Sequence, residues 1–91
     1  MLLPYELDAI WDTLRDLQHN YGVQFSFTFD EPTHECRLDC RKNNLLCHQL
    51  FTYERLRDSG FGFVWSVRRL AESMAKSVYD NDRRLCYLRK E

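Results

Sequence analysis

The sequence predicts a small α+β fold, one compact domain over residues 1–91 with an N-terminal helix packed on an antiparallel β-hairpin. Three patterns predict it. Polar and apolar residues alternate strictly from Val23 to Asp30 and again from Cys36 to Arg41, the period of a half-buried strand. Leu3, Leu7, Ile10, Trp11, Leu14 and Leu17 recur at helical spacing before that stretch, and Val67, Leu70, Ala71, Met74, Ala75 and Val78 recur at it afterwards. One or two further helices follow the hairpin in this reading, with a closing C-terminal strand or frayed tail.

The first helix runs from Pro4 to Gly22, because proline suits the first helical position and glycine the left-handed residue past the end. Its apolar stripe is the lid for the face that Val23, Phe25, Phe27 and Phe29 share. The hairpin loop is Glu31 to His34, with Pro32 supplying a fixed φ. That loop sets Phe29 opposite Cys36, Phe27 opposite Leu38 and Phe25 opposite Cys40, so both strands bury one side.

Asn43 and Asn44 end the second strand. Either caps a helix from Leu45 to about Ser59, closed by Gly60, in which Leu46, Leu50, Tyr53 and Leu56 form the stripe. A third strand through Leu50 to Tyr53 is the alternative, since those residues suit sheets. The late helix starts near Phe61 or is capped by Ser66. A start at Ser66 would put Arg68 and Arg69 in the first turn, against the positive end of the helix dipole. Asp80-Asn81-Asp82 reads as a turn, followed by the closing segment Arg83–Lys90.

Ninety-one residues suffice to bury about 60–65% of the unfolded chain's surface. A hydrophobic content of 44% removes the disordered classes. No run approaches the roughly 20 apolar residues of a membrane span, and the first residues lack the basic start and apolar region of a signal peptide. A cytoplasmic protein without membrane contact is expected.

Four cysteines and three histidines raise the question of zinc. His34, Cys36, Cys40, Cys47 and His48 lie close in sequence, and a small structural zinc protein is one alternative. On a strand, however, Cys36 and Cys40 stand about 13 Å apart, too far for two thiolates on one tetrahedral ion. The cysteines are therefore read as small apolar core residues, with neither metal nor cofactor. Cys86 would approach Cys40 if the last segment paired with the hairpin. No acid–base frame, phosphate loop or dinucleotide fingerprint occurs, so no enzyme is expected.

Net charge is −1, but residues 1–35 hold seven acids against one base, Arg15. Asp8, Asp12 and Asp16 form an acidic line on the first helix, joined by Asp30, Glu31 and Glu35 at the hairpin loop. Those six residues are the expected contact set for a larger, nucleic-acid-processing protein partner. The alternative is nucleic-acid binding through Arg37, Arg41 and Lys42 on the hairpin, Arg68, Arg69 and Lys76 on the late helix, and Arg83 and Arg84 near the end. A pI of about 6.3 opposes it. A short domain with one helix, one hairpin and no catalytic signature is similar in style to many phage and viral accessory proteins that bind and inhibit a host enzyme. The resulting expectation is a non-enzymatic interaction module of inhibitor type.

Overall fold

The computed structural model describes residues 2–89, with side-chain surroundings described as far as Asn81. The elements in order are α1 (Pro4–Tyr21), β1 (Gln24–Asp30), β2 (Glu35–Lys42), β3 (Leu45–Thr52), α2 (Tyr53–Arg57) and α3 (Phe63–Arg89). Together they form an α+β domain in which two long helices lie on one face of a three-stranded antiparallel sheet.

Pro4 opens α1, and the Glu6 carboxylate accepts the Leu3 backbone N–H at 3.0 Å, half of a capping box. The helix stops at Gly22, whose φ of 65° is left-handed and whose N–H donates to the Gln18 carbonyl at 2.9 Å. Lys42 Nζ donates to the Tyr21 carbonyl at 2.9 Å, satisfying another of the carbonyls left open at that end. A Cβ at residue 22 would stand 3.2 Å from that ammonium, so both conformation and space favour glycine there.

The hairpin forms in the expected register: Phe25 faces Cys40, Phe27 faces Leu38 and Phe29 faces Cys36. Its loop closes through His34 N–H donating to Asp30 O at 2.7 Å, with His34 at φ 58°. Thr33 Oγ1 adds a 2.6 Å bond to Asp30 Oδ2. Cys36, Leu38 and Cys40 are fully buried, as are Ile10 and Leu14 of α1 and Val67, Ala71 and Ala75 of α3.

Two expectations need correction, and the open choice for the start of the late helix is decided. Leu45–Thr52 is a third strand rather than a helix, pairing antiparallel with β2 from Lys42↔Leu45 to Glu35↔Thr52. Asn43 and Asn44 are the two-residue turn between them, Asn43 taking φ 55°, a conformation asparagine tolerates. The helix that follows is only Tyr53–Arg57, and Thr52 caps it by accepting the Arg55 N–H at 3.3 Å. Next, α3 starts at Phe63, close to the earlier of the two expected starts; Ser66 is no cap, its hydroxyl bonding back to Gly62 O at 2.8 Å. Arg68 and Arg69 consequently fall beyond the first turn, away from the strongest part of the dipole. Lastly, the segment expected to turn at Asp80 and close as a strand stays helical to Arg89. The side chain of Cys86 lies outside the described residues.

The lid is also shared. α3 packs on β2 and β3, while α1 lies mainly against α3 and meets the sheet chiefly at β1. Tyr21 meets Tyr79 edge-on at 5.6 Å at one end, and Thr13 borders a shallow cleft with Trp65 and Arg68 nearer the other. The two helices therefore run side by side in the same direction.

Truncating Leu38 to Ala removes the large side chain at the centre of the sandwich. Loss of about 2–5 kcal/mol is expected in denaturant unfolding, whereas Thr28→Ala on the outer sheet face should change stability by about 0.5 kcal/mol or less.

Candidate functional site

Asp8, Asp12 and Asp16 all project to solvent from α1, on the side opposite Ile10, Leu14 and Leu17. The helix period explains why: steps of four residues advance only about 40° around the axis, so the three carboxylates stay in one row. Asp12 is paired with Arg15. Tyr5, three residues before Asp8 and 67% exposed, heads the same row, a feature that apolar-stripe reasoning passed over because tyrosine counted only as bulk.

The loop acids sit at the end of the molecule where α1 begins. Glu31 shares an open apolar cleft with Leu2, Leu3, Pro4 and Leu7, while Asp30 and Glu35 end the hairpin strands opposite one another. Asp30 is already engaged by Thr33. The six acids are thus split between a helix face and a loop at its start.

A second group of titratable residues at this end is structural. Glu6 is 7% exposed and accepts from Tyr53 Oη at 3.1 and 3.2 Å as well as from Leu3 N–H. Burial, and then the bond to Glu6, raises the Tyr53 phenol above its ordinary value, keeping it a donor. His34 Nδ1 contacts Glu54 Oε1 while its ring stacks on Phe29 at 6.0 Å and its carbonyl accepts the Tyr53 N–H at 2.9 Å. That bond to His34 holds Glu54 below the usual carboxylate range.

The basic residues fare differently from one another. Arg37 Nε bonds Asp39 at 3.0 Å, Lys76 bonds Glu72 at 3.1 Å, and Lys42 is spent on the end of α1 with its ammonium 4.9 Å from the Tyr79 ring. Arg41 and Arg68 are exposed and make no hydrogen bond or ion pair among the described residues. Arg83 and Arg84 have side chains outside the described residues. Arg69 lies 5.6 Å from the Trp65 ring, and Trp65 in turn stacks on Phe61 at 4.4 Å. Phe61 is 68% and Trp65 46% exposed. The sequence spelled this ladder as 61, 65, 69, one side chain per helical turn, but the glycines around Phe61 concealed that its ring would reach the helix.

The cysteines stand on strands. Cys36 and Cys40 point into the core, where burial pushes both thiols up to about 12. Cys47 is opposite Cys40 in the register. Among the described residues no three or more His, Cys, Asp and Glu side chains converge as a metal would require. No described helix is long and apolar enough to cross a membrane.

No family model, no curated protein and no solved structure matches the chain.

Because Glu54 has a depressed pKa, its contribution to stability is present above the unfolded value of about 4.3 and is lost as pH falls through the folded value. The stability gap between the wild type and Glu54→Gln should be open near neutrality and close in urea titrations as pH falls through the depressed folded value. An unchanging gap would exclude the charge of Glu54 as its source.

Proposed function

We propose that this chain is a non-enzymatic protein-binding module whose contact surface is the solvent face of α1, extended by the hairpin loop. The observation that carries the reading is the single outward row of Tyr5, Asp8, Asp12 and Asp16 on a helix whose other side is buried. Like charges four residues apart cost a helix a few tenths of a kcal/mol each. An exposed tyrosine at the head of such a row adds the amphipathic area that binding hot spots use.

The partner that suits this row is a larger protein with a basic groove, such as one that processes nucleic acid, and the carboxylates then stand in for phosphates. Asp30, Glu31 and Glu35 extend the negative field at one end. Occlusion of that groove makes the module an inhibitor, acting in the cytoplasm. Charge pairs of this kind act chiefly on encounter rate and specificity.

A second reading is favoured by the Phe61–Trp65–Arg69 ladder with Arg68 beside it. Exposed aromatic faces next to arginines are what single-stranded nucleic acid stacks on. It ranks second because the pI of about 6.3 and the acidic row oppose a polyanion.

Replacing Asp8, Asp12 and Asp16 together by Ser should lower the affinity for the captured partner by about tenfold or more while leaving the circular dichroism unchanged. Capture should also weaken as salt is raised. Undiminished capture by the triple variant would exclude the α1 face. A retarded DNA or RNA band at low salt that Trp65→Ala abolishes would move the second reading to first place.

A further inference from the structure

We propose that the outer edge of β3 pairs with β3 of a second copy of this chain, antiparallel, about a twofold axis at His48. The proposal is independent of the acidic face of α1.

The sheet order β1-β2-β3 leaves two edges, and they are built differently. On the β1 edge the Phe25 N–H donates to Gln18 Oε1 at 2.9 Å, so α1 guards it. β3 has eight residues in unbroken register with β2. It contains no proline and no Asp, Glu, Lys or Arg, and among the described residues no backbone hydrogen bond reaches it from outside the sheet. Edge strands in proteins that stay apart are blunted by charge, proline, a bulge or short length, and β3 has none of these.

The pattern of β3 names the occupant. Leu46 and Leu50 lie on the outer face, 58% and 53% exposed, and flank His48 symmetrically. In an antiparallel pair, residues directly opposite share a face. Setting His48 against its own copy puts Leu46 opposite Leu50 twice, once on each side of the axis. On the inner face the same register sets Cys47 opposite Gln49 and Leu45 opposite Phe51. A slip of one residue inverts the faces, and a slip of two sets one leucine against His48. The register centred on His48 is the one that overlaps the whole strand and pairs both leucines of each copy, and it closes as a twofold dimer rather than growing.

Charge agrees with that seam. Arg41 and Arg37 sit one strand inward, in the rows of Leu46 and Leu50, and Asp39 sits in the row of His48. The two histidines at the axis each have a carboxylate beside them, while the arginines of the two copies are held apart by two strands. Eight residues of edge bury less than the roughly 800 Å² per partner of a standard interface, so the dimer is a weak one, with a dissociation constant of about micromolar or higher.

Sedimentation equilibrium from about 1 μM to 1 mM should show a monomer–dimer equilibrium in reducing buffer. Leu50→Lys, at an exposed position, should weaken it by about tenfold, since the axis reads each substitution twice. Mild oxidation of His48→Cys should give a covalent dimer with the bridge mapped to residue 48 in both chains, and Ser26→Cys near the guarded edge should not. A monomer throughout the range, assembly beyond two copies, or equal bridging of the two cysteine variants would overturn the proposal.

Discussion

Cys36, Leu38 and Cys40, the inward residues of the middle strand, are shielded from solvent between the other strands and the helices. Burying them is the constraint that the remaining elements answer. Cys36 and Cys40 on either side of Leu38 are fully buried, as are the small Ala71 and Ala75 of α3, which packs on β2. α1 then finds its own cover mainly on α3. Burial also keeps the thiols protonated, since the thiolate would be desolvated there, so these residues act as packing rather than as chemistry.

Polar ties fasten the two ends of that sandwich. At one end Glu6 holds Tyr53, and His34 holds Glu54, joining the start of α1, the hairpin loop and α2. At the other, Lys42 binds the last turn of α1 and lies over Tyr79 of α3. Each tie joins residues far apart in sequence, and each uses groups that composition alone counts as surface charge. Glu6 is the clearest case, an acid in the negative half of the chain that sits inside the domain.

What remains outside is unevenly distributed. The acidic row and Tyr5 occupy the solvent face of α1, the aromatic–arginine ladder occupies the start of α3, and two leucines stand on the free edge of the sheet. The sheet's outer face carries Arg37 and Arg41, but Asp39 lies between them and pairs with Arg37. The charge split along the chain thus survives on α1 and is partly neutralised elsewhere. This is why an interaction surface on α1 is a stronger reading than a basic one on the sheet.

Local rules were enough for α1 and the hairpin. Pro4 and Gly22 bound the helix, and strict alternation with the loop placed at Glu31–His34 gives the register in which Phe25, Phe27 and Phe29 share a face with the cysteines. The acidic row was legible for the same reason, since helix periodicity alone places Asp8, Asp12 and Asp16. β3 was not legible. Its exposed Leu46 and Leu50 interrupt the alternation and mimic a helical stripe, and pairing with β2, a contact the local pattern does not encode, decides in favour of the strand. The late segment stays helical for a related reason: a turn signal such as Asp80-Asn81-Asp82 is a weak local preference, and helix already nucleated upstream propagates through it. The residues themselves determined which faces are apolar and where the first three elements lie. Only the folded arrangement decided which strand forms the open edge, which acid is buried, and which arginines are already engaged, because those outcomes depend on contacts between segments distant along the chain.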